Sequence, residues 1–135
     1  MNTPGTAVQP YPTWLEINLS AVAHNTRRLL ERTGVDLMAV VKANAYGMGA
    51  VPIGREMLAA GAKALAVARF CEAAALRQED IDAPILVFGM TTLPEVEAAI
   101  GQEVRMTLHS RENAERISQR AKALGKTAKV HLKVD

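Results

Sequence analysis

Lys42 is the residue whose type and place point most directly to chemistry. It closes an apolar run, Val40-Val41-Lys42. The chain then breaks into a small polar loop, Ala43-Asn44-Ala45-Tyr46-Gly47-Met48-Gly49, before a helical pattern resumes near Val51. An ammonium at the last apolar position of a strand is costly to bury unless it is paired or neutralised. A lysine amine held neutral is the nucleophile of Schiff-base chemistry with carbonyl compounds. The plainer alternative is a side chain that snorkels off the strand end into water. Tyr46, four residues on, brings a phenol whose hydroxyl makes short, strong bonds to anionic oxygens. Gly47 and Gly49 permit tight backbone geometry ahead of the helix, although a bare G-x-G is weak evidence for phosphate binding.

The other reactive side chains form no comparable group. His24, His109, His131 and Cys71 show no metal-ligand spacing, so no metal is expected, and no nucleophile–base pair is visible. The histidines read as structural. Cys71, alone in the chain, leaves no intramolecular disulfide and reads as a small buried hydrophobe. A hydrophobic fraction of 49% with 22% charged residues fits a globular chain of 135 residues, the size of one ordinary domain. Only 4% of residues are aromatic, so the core must be built from Ala, Val, Leu and Ile, which suits parallel strands between helices. The net charge of +2 carries no nucleic-acid footprint, and Arg27-Arg28 reads as a solvated helix face. Residues 1–12 lack the basic and apolar regions of a secretory signal, and no apolar run reaches the roughly 20 residues of a membrane span. A cytoplasmic location is expected by default.

The elements that must position Lys42 follow a regular rhythm. Residues 1–12, with three prolines and a glycine, are expected to be a mobile leader ahead of a domain at 13–135. Trp14 to Leu19 alternates as a half-buried strand does. Ser20 suits the N-cap of a helix in which Val22, Leu29 and Leu30 share a face and which Gly34 ends. Short apolar strands then recur at 36–42, 64–68, 84–88, 104–108 and 129–134. Between them lie four helical stretches. The first carries Ile53, Met57 and Leu58 and stops at Gly61; the second runs from about Phe70 to Gln78. The third is introduced by Thr92 and Glu95 at capping-box spacing with Pro94 in its first turn. The fourth starts after Ser110, places Ala114, Ile117, Ala121 and Leu124 on one face, and closes at Gly125. This alternation is the signature of right-handed βαβ units and a parallel sheet, in an α/β fold. An open doubly wound sheet and a (β/α)8 barrel fit the rhythm equally well.

The segment AVVKANAYGMG closely resembles the pyridoxal-phosphate lysine motif of the alanine racemases, members of the alanine-racemase-like, fold-type III enzymes. The likeness extends to TWLEINLSAVAHN at 13–25, GAKALAVARFCEAAALR at 61–77, APILVFG at 83–89 and the closing HLKVD. The resemblance implies a TIM-type barrel, which in this family is followed by a separate β-rich domain. A complete barrel takes about 250 residues. Residues 13–135 are therefore expected to supply its N-terminal portion, with two parallel strands at open edges.

The resemblance implies that Lys42 forms the internal aldimine with pyridoxal phosphate and, once freed, moves the substrate α-proton on one face. It makes the Tyr46 hydroxyl a donor to the cofactor phosphate. It aligns Phe88 with an apolar position lining the cofactor pocket, and Lys133 with a lysine that some members carry as a carbamate. Met48 departs from the family, whose motif has histidine there. Glu72 and Arg77 belong to a recognisable EA-xx-LR pattern and are expected to make helix-surface or buffering contacts, with no catalytic role. The second catalytic base, a tyrosine of the partner subunit's C-terminal domain, and the arginine addressing the pyridine nitrogen have no counterpart in residues 1–135. The implied function is interconversion of L- and D-alanine for peptidoglycan precursors, in a homodimer or with a complementing C-terminal chain, and the chain alone is expected to be inactive. A racemase of serine, lysine or broad specificity and a non-catalytic pyridoxal-phosphate-binding protein remain as alternatives.

Overall fold

The computed structural model describes residues 13–134, and the expected leader at 1–12 lies outside them. The chain runs α1 (Leu19–Thr33), β1 (Met38–Val40), a short helical turn α2 (Lys42–Tyr46), α3 (Ala50–Ala59), β2 (Ala64–Val67) and α4 (Phe70–Gln78). It continues with β3 (Ile85–Val87), α5 (Leu93–Gly101), β4 (Arg105–Leu108), α6 (Arg111–Ala123) and β5 (Val130–Leu132). The strands form one parallel sheet in the order β1-β2-β3-β4-β5, with Val40 beside Ala66, Ala66 beside Leu86, Leu86 beside Arg105, and Thr107 beside His131. Sequential order separates the two architectures left open above. Crossovers of one hand between successive neighbours put every helix on the same side of the sheet, as a barrel wall requires, whereas a doubly wound sheet reverses its order.

Side chains divide accordingly. Ala39 and Val41, Leu65 and Val67, Ile85 and Val87, and Val104 and Met106 belong to the buried cluster that includes Ile53, Leu76, Val96, Ile100 and Ile117 of the helices. Each large aliphatic group taken from water there contributes about 1.5–3 kcal/mol. By the alternation of strand side chains, Val40, Ala66, Leu86, Phe88 and Arg105 face the opposite side. Thr107, also on that side, donates its hydroxyl to the Val87 carbonyl at 2.6 Å and pins β4 to β3.

Four local expectations are corrected in whole or in part. Residues 13–18 form no strand: the alternation is present, but no sheet neighbour among the described residues supplies a ladder, and Trp14 and Leu15 are exposed. The α1 N-cap is Asn18, whose Oδ1 accepts from the Ala21 amide at 3.0 Å; asparagine caps as well as serine, and it comes first, which leaves Ser20 inside the first turn. Cys71 is exposed, because the inward positions of α4 are taken by Ala73 and Leu76. On α1 the expected face is only partly met: Val22 and Leu30 are half-buried, whereas Leu29 stands out to solvent.

The helix boundaries otherwise sit close to those expected. Ser110 caps α6 by accepting from the Asn113 amide at 3.1 Å. At the start of α5 the Glu95 carboxylate accepts from both the Thr92 amide, at 2.9 Å, and its hydroxyl, at 2.7 Å. That is the glutamate half of the expected capping box, with the threonine hydroxyl donating instead of accepting.

Candidate active site

Lys42 does not close its strand as expected: β1 ends at Val40 and Lys42 opens α2, which still sets it just past the C-terminal end of the strand, where functional residues of βα barrels sit. Val41 still belongs to the sheet, its amide donating to the Ala66 carbonyl at 2.9 Å, and is buried among the helices. Lys42, the next residue, is half-buried. Among the described residues, neither the Lys42 ammonium nor the Tyr46 hydroxyl has a hydrogen-bond or ion partner.

The loop after Lys42 has an unusual backbone. Ala43, Asn44, Ala45 and Tyr46 all have φ between 51° and 57°, which makes α2 one turn of left-handed helix. Each such residue costs an L-chain about 1–2 kcal/mol, so left-handed stretches persist only where the surroundings over-determine them. Several contacts do so here. Ala45 is buried and donates its amide to the Val41 carbonyl at 2.9 Å. The Asn44 carbonyl accepts from Gly49 at 2.8 Å and from Gly47 at 3.1 Å, while its side-chain oxygen accepts from the Ala50 amide at 2.8 Å. Asn44 thus closes the turn onto the first residue of α3. Gly47 and Gly49, at φ 89° and 98°, carry the positive-φ run on toward α3 without the cost of a side chain.

From the other side the turn is held by Glu72, in the first turn of α4. Its Oε1 accepts from the Ala43 amide at 2.6 Å, and its Oε2 accepts from the amides of Ala68, at 2.8 Å, and Arg69, at 2.9 Å. Burial alone would raise the pKa of this carboxyl, but the three amides together, with Arg69 adding positive charge, outweigh burial and hold it below the ordinary glutamate value. A helix-surface role was expected for this residue; it instead joins the ends of β1 and β2. Sequence reasoning could not find this, because the contact to Ala43 spans 29 positions. The available signal was a glutamate three residues beyond the extended Arg69.

The remaining candidates lie along the same sheet end without converging on one point. Phe88 follows β3, donates its amide to the Val67 carbonyl at 2.9 Å, and is 40% exposed among the described residues. Lys133 follows β5, with its amide on the Leu108 carbonyl at 3.0 Å. It is at the opposite edge of the five-stranded sheet from Lys42, and the described residues do not bring the two together. Met48 lines an apolar hollow of about 230 Å³ with Tyr46, Val22, Leu29 and Met57. Methionine suits that lining as a flexible, apolar filler. Among the described residues no three His, Cys, Asp or Glu side chains cluster as metal ligands, and no helix is long and apolar enough to cross a membrane.

Comparison with known proteins places this geometry in a family. The alanine racemase N-terminal domain family matches residues 17–135. Alanine racemase 2 of Oceanobacillus iheyensis is 44% identical over 125 residues, which cover 91% of this chain and 32% of that protein. Among solved structures, the alanine racemase of Clostridium difficile 630 in complex with cycloserine superposes with a TM-score of 0.85 at 39% identity, over 94% of this chain and 34% of its own. The histidine racemase of Leuconostoc mesenteroides subsp. sake superposes at 0.78 with 30% identity, over 83% of this chain and 30% of its own. The chain spans about a third of the length of these relatives. With its single-sided parallel βα wall and Lys42 at the end of β1, it belongs to the alanine racemase N-terminal domain family.

Proposed function

We propose that the protein carrying this chain is an alanine racemase, a pyridoxal-phosphate-dependent isomerase that interconverts L- and D-alanine. The observation that carries the reading is Lys42 at the end of β1, followed by a left-handed turn that ends on Tyr46, in a chain 44% identical to an alanine racemase over most of its length. The residues present suit the cofactor. An uncommitted amine stands half-buried just past a strand end, and a phenol lies one turn on. Pyridoxal phosphate, when bound, supplies the electron sink that makes the Cα–H bond of an amino acid breakable.

The chain's own residues would do the rest. The Lys42 amine would hold the cofactor and would take the α-proton or return it on one face of Cα. The Tyr46 hydroxyl donates to a phosphate oxygen. Lys42 and Tyr46 are four residues apart over a turn of about 3.6 residues, which sets their Cα atoms above one another. A base for the other face would come from outside residues 1–135, in a homodimer or from a complementing C-terminal chain. D-alanine made in the cytoplasm would supply peptidoglycan precursors.

Loading the full-length protein with pyridoxal phosphate, reducing with borohydride and mapping peptides should give one adduct, on Lys42. Lys42→Ala should abolish both the adduct and the conversion of L- to D-alanine. Labelling scattered over surface lysines would overturn the cofactor reading. The histidine racemase neighbour supports a second reading of the substrate, because this half of the barrel is shared by enzymes acting on different side chains. Turnover of alanine, histidine, serine and lysine by the full-length protein decides it, and preference for any of the last three refutes alanine.

A further inference from the structure

The geometry points to Glu72 as the positioning residue of the lysine loop: its ionised carboxylate ties the amide that follows Lys42 to the end of β2 and the start of α4. This rests on the reading of Lys42 as the cofactor-bearing lysine. Three backbone donors converge on the two oxygens, with Ala43 on Oε1 and both Ala68 and Arg69 on Oε2. Such a site needs two acceptors and no donor, which an ionised carboxylate provides and an amide does not. The bond to Ala43 holds the first left-handed residue of a turn that is intrinsically unfavourable. Lys42 precedes that residue and Tyr46 ends the same turn, so the direction of both side chains depends on whether the turn stays wound.

Local capping is a separate role of the same side chain, and chemistry separates the two. The contact with Arg69 is the glutamate half of a capping box, a position where glutamine serves as well. Glu72→Gln therefore keeps an oxygen for Arg69 and Ala68 but turns a donor NH2 toward the Ala43 amide, which loses its acceptor. Glu72→Asp keeps the charge and both oxygens, but its arm is one methylene shorter. It still caps α4 and no longer reaches Ala43 across the loop. If Glu72 were only a helix cap, both variants would be silent beyond α4. If only its charge mattered, aspartate would restore the wild-type behaviour.

The test uses the full-length protein. Amide hydrogen exchange is read at Ala43 and Arg69, and adduct formation on Lys42 with pyridoxal phosphate is followed by borohydride trapping. In both variants Ala43 should exchange about ten- to a hundredfold faster, as expected for loss of a charge-assisted bond, while Arg69 keeps its protection. Adduct formation on Lys42 should slow about tenfold, with cooperative melting retained. Wild-type Ala43 protection in both variants, or full recovery in Glu72→Asp, would overturn the inference. So would faster Ala43 exchange with unchanged labelling of Lys42. The cofactor reading fails separately, by the absence of a Lys42 adduct in the wild-type protein.

Discussion

Glu72 concentrates the energetics of the candidate site in one side chain, and its titration has a definite sign. Burial works to raise its pKa, but the amides of Arg69, Ala43 and Ala68 outweigh it, so the folded value lies below the ordinary 4.5. A carboxyl depressed on folding stabilises the native state above its unfolded pKa and loses that contribution as pH falls through its folded one. Protection of the Ala43 amide should therefore be constant from neutral pH down to 4.5 and decline only below it. Exchange measured along an acid titration checks this. Loss of protection at Ala43 above pH 4.5, while the strand amides of β2 stay protected, would show that the carboxylate is not what holds the turn. The Asn44 contacts contain no titrating group, so they should hold until the surrounding fold gives way.

Elements show best what could be read from residues alone. The alternation of strands and helices was legible because each strand is a short apolar run and each helix is punctuated by a capping side chain or a glycine. Phe70–Gln78 and the Ser110 cap of α6 fall where expected. The Trp14–Leu19 alternation misled because period two describes a face and says nothing about a partner. The left-handed turn at 43–46 was illegible for a related reason. Alanine and tyrosine do not favour positive φ, and one of the contacts that hold them there, from Ala43 to Glu72, spans 29 positions. Arg77 belongs with those contacts. From the last turn of α4 it donates Nε to the Gln102 carbonyl at 3.0 Å and Nη1 to the Ala83 carbonyl at 2.9 Å, with a further short bond to the Ile81 carbonyl. Burial lowers its pKa, and the charges of Asp82 and Glu103 partly offset this. The guanidinium thus secures both the entry to β3 and the loop between α5 and β4. Lysine keeps the charge but lacks the planar fork that reaches separate carbonyls. Arg77→Lys should lower stability by about 2 kcal/mol, seen as a lower urea midpoint with an unchanged slope. A midpoint within error of wild type would assign the clamp to the loops themselves.

At the scale of the whole molecule, the sheet has a direction but no closure. Among the described residues, β1 and β5 each have a strand neighbour on one side only. A parallel strand with a free ladder edge is a template for further pairing. The apolar surface reinforces this. Leu132 and Val134 are 74% and 86% exposed at the β5 edge, and Val40 is 37% exposed on β1. The hollow lined by Leu108, Ile117, Ala121 and Val130 opens beside that same β5 edge. Water at these sites leaves apolar area uncovered that an adjoining strand and helix would bury, at about 25 cal/mol per Å². A polypeptide of residues 1–135 alone should therefore associate, through β5 above all. Light scattering after size exclusion at micromolar concentration should give a mass above one chain. Placing charge on β5 with Leu132→Lys and Val134→Lys should shift it toward the monomer. A stable monomer for the unaltered polypeptide, with its amide exchange at β5 as slow as at β2, would mean that the curved sheet protects its own edges, and the argument for a covering chain at this surface would fall.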